Sequence, residues 1–214
     1  MSYRQATVAA LLVPLATLVL APVPSGAATE TAAAPANPLS AAPKTGCLPN
    51  GNGYLRARIR GVLNLDVDWR NAELECEGGA RPDGSGIRLS FAGPLRSDGR
   101  RMRMVFGVAH ATEGVGGSAL PTNLTVIFEG ERRLFSTRGD GKCTVDKLEQ
   151  ERVGSVGGDT RSYRVVASGF CTEPANTLND KERIVVSSFD FAGQVTYTPP
   201  PAIPPKPAQR TPQP

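Results

Sequence analysis

Alternation of apolar and polar side chains along residues 55–70 constrains the fold more than any other feature of the sequence. From Leu55 to Trp69 every second residue is apolar or glycine, and most residues between them are arginine, asparagine or aspartate. Successive side chains of a β-strand point to opposite faces, whereas an α-helix would spread these residues around its circumference. The pattern therefore predicts a half-buried strand of unusual length over residues 55–70.

Four more stretches alternate in the same way: residues 87–91, 102–108, 124–128 and 185–197. In the last of them, one face receives Val185, Phe189, Phe191, Val195 and Tyr197. Turn-forming sequences rich in glycine and aspartate separate the stretches. About eight or nine antiparallel strands with short connections predict an all-β fold, either an antiparallel β-sandwich or a small closed barrel.

Composition divides the chain into four segments. Residues 1–27 combine Arg4, an apolar run and small residues at their end, which is typical of a signal peptide cleaved on export. Pro14 and Pro22 interrupt the apolar run and argue against an uncleaved membrane anchor.

The other segments are two irregular regions and one domain. Residues 28–45 are rich in alanine and proline and predict a flexible linker, and the proline-rich residues 198–214 predict a disordered tail. Residues 46–197 lie between them and are numerous enough for one β domain with its own core.

Export makes the four cysteines interpretable, because an oxidising compartment allows thiols to pair. Four cysteines permit three connectivities. We expect the local pairs Cys47–Cys76 and Cys143–Cys171, because each pair falls within one continuous stretch of predicted sheet.

The second pair has a further argument in its favour. Cys143 and Cys171 are equidistant from Gly157, and Gly157-Gly158 is a suitable hairpin turn, so the cysteines would lie opposite each other. The apolar pattern slips between Val145 and Leu148, which predicts a β-bulge. The alternative is a helix over residues 146–152, where good helix formers follow a potential capping residue.

The most distinctive chemical feature is a cluster of acidic residues over positions 66–77. A two-residue turn at Arg70-Asn71 would set Asp68 opposite Glu73 and Asp66 opposite Glu75. Like charges in opposed positions destabilise a strand pair, so a neutralising group is needed. Carboxylate oxygens suit Ca²⁺, which makes Asp66, Asp68, Glu73 and Glu75 a candidate calcium site. The alternative is neutralisation by solvent or by arginines of neighbouring strands, namely Arg88, Arg101 or Arg103.

Catalytic chemistry has less support. His110 is the only histidine, and Ser90 or Ser118 could serve as its nucleophile, but no nucleophile motif accompanies them. A two-carboxylate mechanism in the acidic cluster lacks an environment that would separate the two pKa values. We therefore expect a protein that is not an enzyme, and a small secreted hydrolase using His110 or the acidic cluster is the alternative.

Two short motifs have a structural and a functional interpretation. Arg138-Gly139-Asp140 is an adhesion tripeptide, but glycine and aspartate are also common turn residues. Asn123 begins a glycosylation sequon, Asn123-Leu124-Thr125, which matters only in a host that glycosylates exported proteins.

These observations together predict an exported, non-catalytic binding or envelope-associated protein, secreted or periplasmic. Its expected partner is an extracellular or periplasmic protein or glycan, and the net charge of +4 is too small to indicate nucleic acid. No cofactor other than calcium is expected, and the chain should not span a membrane after signal cleavage. A structural envelope protein is a further alternative.

Overall fold

The strands of a computed structural model follow the alternating stretches of the sequence. The structure describes residues 46–155 and 159–198. The predicted signal peptide, linker and tail, and the Gly157-Gly158 turn, therefore lie outside the described residues, apart from Thr198. The described residues form eleven strands: β1 (Tyr54–Gly61), β2 (Leu65–Arg70), β3 (Glu75–Ala80), β4 (Gly86–Ala92), β5 (Arg101–Ala109), β6 (Leu120–Glu129), β7 (Arg133–Ser136), β8 (Cys143–Ser155), β9 (Arg161–Cys171), β10 (Ala175–Thr177) and β11 (Arg183–Tyr197).

Hydrogen bonds join all eleven strands into one sheet, in the order β10-β7-β6-β5-β4-β3-β11-β1-β2, with β8 and β9 paired between β6 and β11. Every pair is antiparallel except a single parallel bridge between Gly79 of β3 and Thr196 of β11. The described residues include no α-helix, only 3-10 turns at Asn71–Glu73 and Asp140–Lys142. The all-β prediction is confirmed, but the strands number eleven rather than eight or nine, and neither the sandwich nor the closed barrel is confirmed.

The core lies along β11, which pairs with β1, β3, β9 and β10. Four phenylalanines form its centre, with Phe106 4.9 Å from both Phe189 and Phe191 and Phe91 5.1 Å from Phe191, measured between ring centroids. All four are essentially inaccessible to solvent. Burial of such a side chain contributes about 1.5–3 kcal/mol, so this cluster is a major source of stability.

The long strand predicted over residues 55–70 is wrong, because β1 and β2 form a hairpin with a turn at residues 62–64. Leu55 pairs with Trp69, and Ile59 pairs with Leu65. Directly paired residues of an antiparallel hairpin lie on the same face. The alternation therefore continues in phase through the turn, and periodicity alone does not reveal the hairpin.

A β-bulge also changes the face pattern of β11. Arg58 pairs with Ser188 and Ile59 pairs with Val186, so Ser187 is left over in the ladder. N-terminal to Ser187 the buried residues are Ile184 and Val186. Placing Val185 on the core face with the phenylalanines was therefore wrong, because an extra residue reverses the alternation.

The β8–β9 hairpin agrees with the sequence analysis. Cys143 lies directly opposite Cys171, and the ladder shifts register between Val145 and Lys147, where the bulge was expected. The segment considered as a helix is part of β8. The structure contains the disulfides Cys47–Cys76 and Cys143–Cys171, the two pairs preferred from the sequence.

Candidate functional site

The acidic residues near β2 and β3 do not face one another. β2 pairs with β1 and β3 pairs with β4, so the expected opposition of Asp68 to Glu73 and of Asp66 to Glu75 is wrong. Asn71 explains the difference. Its side-chain Oδ1 accepts hydrogen bonds from the backbone N–H groups of Leu48 (2.7 Å) and Gly53 (2.9 Å), which anchor the loop before β1. Asn71 therefore serves this loop and does not form a tight β2–β3 turn.

Each carboxylate of the proposed calcium site has its own partner. The contacts are Asp66 with Arg60 at 2.7 Å, Asp68 with Arg56 at 3.3 Å, Glu75 with Arg101 at 2.8 Å, and Glu73 with the backbone N–H of Arg70 at 3.0 Å. Within residues 46–155 and 159–198, no three acidic, histidine or cysteine side chains are arranged to hold a metal ion. Three of the four contacts are with arginine side chains, but only Arg101 is among the arginines considered from the sequence, since Arg56 and Arg60 belong to β1.

A second polar network covers the outer surface of β3–β6, which we call the arginine face and define by Arg81, Arg88, Arg101, Arg103 and Glu129. Glu129 accepts short hydrogen bonds from the guanidinium groups of both Arg101 and Arg103. These two donors hold the pKa of the Glu129 carboxyl below its usual value. Arg103 also donates to the hydroxyl of the buried Ser90 at 2.8 Å. Two cations from one strand thus share a carboxylate from the next.

Three adjoining hollows form a groove across this face, with volumes of about 360, 300 and 310 Å³. Glu77 and Gly78 line both the first and the second hollow, and Pro82 and Arg88 line both the second and the third. None of the residues that line them is aromatic. The three hollows therefore form one depression across several strands, with polar and apolar surface in similar amounts.

Glycines shape the floor of the groove. A Cβ at Gly78 would come within 2.6 Å of the backbone oxygen of Gln194, and a Cβ at Gly107 would come within 2.6 Å of the side chain of Asn123. Both distances are shorter than real Cβ contacts, so larger residues would require the sheet or the Asn123 side chain to move. Glycine at these positions lets the neighbouring groups approach closely.

Arg88 differs from the other arginines of this face. Arg81 contacts Asp140 at 2.9 Å and Asp83 at 3.3 Å, whereas Arg88 is exposed and has no ion pair with any acid of the described residues. Alternation in β4 identified Arg88 as an outward residue. Only the sheet order, which brings acids beside the other three arginines, reveals that Arg88 is unpaired.

Asp140 fixes one wall of the groove. It accepts hydrogen bonds from Arg81 and, at 2.6 Å, from the amide of Asn123. These donors lower the pKa of the Asp140 carboxyl, with Arg81 as the main cause. The charged residues of the Arg138-Gly139-Asp140 tripeptide are thus held internally, because Arg138 also contacts Asp180 at 3.2 Å. This geometry matches the structural interpretation of the tripeptide.

The candidate catalytic residues lie on β4 and in the connection between β5 and β6. His110 is exposed at the end of β5, has a left-handed φ of 60°, and donates its backbone N–H to the oxygen of Ser85. Ser90 is buried under Arg103, and Ser118 lies in the loop between β5 and β6. Across the described part of the chain, no hydrogen bond joins His110 to either serine.

Comparison with known proteins yields no matching protein family, curated protein or solved structure. The described ranges also contain no helix of the length and apolar character needed to span a membrane. The two disulfides are consistent with an oxidising compartment.

Proposed function

We propose that the chain is an exported, non-catalytic binding protein whose ligand lies in the groove of the arginine face and presents an anionic group to Arg88. The observation behind this proposal is that Arg88 lines the groove without a carboxylate partner, while Arg81, Arg101 and Arg103 are neutralised by the acids around them. An exposed guanidinium provides a planar fork of donors that matches a carboxylate.

The third hollow favours an acidic peptide segment as the ligand, because Arg81 and Arg88 line it and no acidic residue does, whereas Glu77 lines both other hollows. Asn123, Thr125, Gln194 and Thr196 offer hydrogen-bond donors and acceptors. The elongated shape suits a chain-like ligand. A glycan is less favoured, because sugar rings are commonly bound against aromatic side chains, which these three hollows lack.

The disulfides and the leader-like residues 1–27 support a site of action outside the cytoplasm, in the periplasm or the extracellular medium. Disulfides persist in such compartments, whereas the cytosol keeps thiols reduced. A binding protein exposed there also benefits from a surface fixed by ion pairs, since less side-chain entropy is lost when the ligand binds.

The test is a titration of the isotopically labelled protein with a hexaglutamate peptide, followed by NMR chemical shifts. We expect the shifts to concentrate on the outward residues of β4–β6 and to vanish in Arg88→Gln. The control is Arg58→Gln on β1, outside the groove, which removes another exposed arginine that forms no ion pair with the described acids. A hexaglutamate response that is lost equally in both variants, or equal binding of hexalysine, would contradict the proposal.

A further inference from the structure

Four turns meet at one end of the sheet, which we call the turn end: residues 62–64, 93–100, 130–132 and 178–182. Contacts link each turn to the next. The backbone N–H of Val62 donates to the backbone oxygen of Arg183. Arg133 forms a bidentate ion pair with Glu182, and Arg100 contacts Glu131 at 3.2 Å. These turns and the residues flanking them therefore form one surface.

Exposed aliphatic side chains concentrate at the turn end. The described residues have six large exposed apolar side chains, and four of them belong to this surface: Val62, Leu65, Leu95 and Leu178. Leu178 is 79% exposed and Leu95 is 67% exposed, so both project almost completely into solvent. Single exposed apolar residues are ordinary, but their concentration on neighbouring turns indicates an interaction surface.

The turn that carries Leu178 is ordered by hydrogen bonds. Arg138 donates to the backbone oxygens of Thr177 (3.0 Å) and Leu178 (3.2 Å) and contacts Asp180. The hydroxyl of Thr177 donates to the side chain of Asn179 at 2.8 Å. Leu178 is thus held in an outward position, and little further ordering is needed when it is buried by a partner.

Charges at the turn end are unbalanced in favour of cations. Every acid of these turns contacts an arginine, in the pairs Asp98–Arg100, Glu131–Arg100, Asp180–Arg138 and Glu182–Arg133. Arg132, Lys181 and Arg183, in contrast, form no ion pair within the described residues. Arg132 and Lys181 line a hollow of about 530 Å³ together with Leu134 and Leu178. Uncompensated positive charge therefore surrounds the most exposed leucine.

We propose that the turn end docks on an anionic lipid surface. Leu178, Leu95 and Val62 enter the boundary between headgroups and acyl chains, and Arg132, Lys181 and Arg183 contact the lipid phosphates. Membrane-surface binding grows with the apolar area that is buried and with the attraction between basic residues and anionic lipids, and the turn end provides both. This surface does not include the groove of the arginine face, so the inference is independent of the proposed function.

The arrangement suits a lipid surface better than a second copy of the chain. A two-fold interface through the turn end would bring Arg132, Lys181 and Arg183 close to the same cations of the partner, and such like-charge contacts are costly. The aliphatic side chains also project from separate turns, with cations between them. A fluid headgroup layer can accept this alternation without a complementary shape.

The test measures binding of the full chain, purified from a secreting host, to sedimenting vesicles of phosphatidylcholine with or without phosphatidylglycerol. We expect binding to the vesicles with phosphatidylglycerol and a decrease with added salt. Removing the three unpaired cations together, in Arg132→Gln/Lys181→Gln/Arg183→Gln, should weaken binding about a hundredfold, from about fivefold for each cation. Leu178→Glu should weaken it about tenfold or more.

The matched control is Val115→Glu, at a comparably exposed valine in the loop between β5 and β6, outside the turn end. Its binding should equal that of the unaltered chain, and circular dichroism should show the same fold for all variants. Equal loss in Val115→Glu and Leu178→Glu, or equal binding to both kinds of vesicle, would overturn the proposal. The proposal would also be overturned if the unaltered chain did not bind vesicles but self-associated, and if Leu178→Glu abolished that self-association.

Discussion

Glu129 is the acid that joins the two half-buried cations of the arginine face. The side chains of Arg101 and Arg103 are each only 19% exposed, so solvent compensates them poorly if the carboxylate is removed. We expect Glu129→Gln to lower the free energy of unfolding by about 1–3 kcal/mol, because a neutral amide leaves two cations without a shared anion. Urea denaturation measures the change.

Glu131→Gln is the matched control for this prediction. Glu131 lies two residues further along the chain and contacts one exposed arginine, Arg100. Exposed pairs of this kind contribute about 0–1 kcal/mol, so its effect should be clearly smaller. Equal effects of the two substitutions would mean that the shared carboxylate has no special importance.

Gly93 provides space for the single tryptophan of the chain. A Cβ at Gly93 would come within 2.4 Å of the Trp69 ring, which packs over this glycine from the edge strand β2. We expect Gly93→Ala to displace the ring, to shift tryptophan fluorescence to longer wavelength and to cost about 1–3 kcal/mol of stability. Gly154→Ala is the control, because no described residue other than its chain neighbours lies within 4 Å of that Cβ position, and it should leave the fluorescence unchanged.

Hairpins were predictable from the sequence where a second constraint accompanied the alternation. In β8 and β9 the symmetric cysteines fixed the pairing, and the slip of the apolar pattern located the bulge near Asp146. In β1 and β2 no such constraint existed, because the face pattern is the same for a hairpin and for one long strand. The turn at residues 62–64 contains no glycine or proline that would have revealed it.

The contacts of the acidic residues were predictable only in part. Arg56 and Asp68 belong to one hairpin, and their common outer face followed from alternation. Arg101 was considered as a partner of the acidic cluster and does contact Glu75. Arg101 and Glu129 lie on the consecutive strands β5 and β6, but their contact depends on the register that sets them opposite each other, which side-chain periodicity does not contain.

The disulfide between β8 and β9 should contribute substantially to stability. It joins residues 28 positions apart, and on the chain-entropy model a loop of this length corresponds to about 3–4 kcal/mol. We expect the double variant Cys143→Ala/Cys171→Ala to lose about this amount in denaturant unfolding while far-ultraviolet circular dichroism stays native. A loss under about 1 kcal/mol would show that the unfolded chain is already constrained.

Acid should destabilise the whole molecule through carboxylates whose pKa values are lowered in the folded state. Glu113, Glu129 and Asp140 are each held below their usual pKa mainly by hydrogen bonds from arginines. The unfolded chain therefore binds protons before the folded chain as the pH falls below about 5, and stability decreases with falling pH. Glu129→Gln should make the acid limb of the stability curve shallower.

At high pH the sign is opposite for Tyr197. Burial raises its pKa from 10.0 to about 12, because the negatively charged phenolate is poorly solvated at the end of β11. Below pH 10 the contribution of Tyr197 to the stability of the fold is fully present. An unfolded tyrosine loses its proton near pH 10, so the unfolded chain is increasingly favoured as the pH rises from about 10 to 12.

We therefore expect stability to fall more steeply above pH 10 in the unaltered chain than in Tyr197→Phe. Denaturant unfolding at a series of pH values gives the two curves, and tyrosinate absorbance follows the titration directly. The phenylalanine variant also loses the 3.3 Å hydrogen bond to Gln150, which lowers its stability by a similar amount at every pH below 10. The comparison thus depends on the slopes of the two curves, and parallel slopes above pH 10 would mean that Tyr197 reaches solvent before the sheet unfolds.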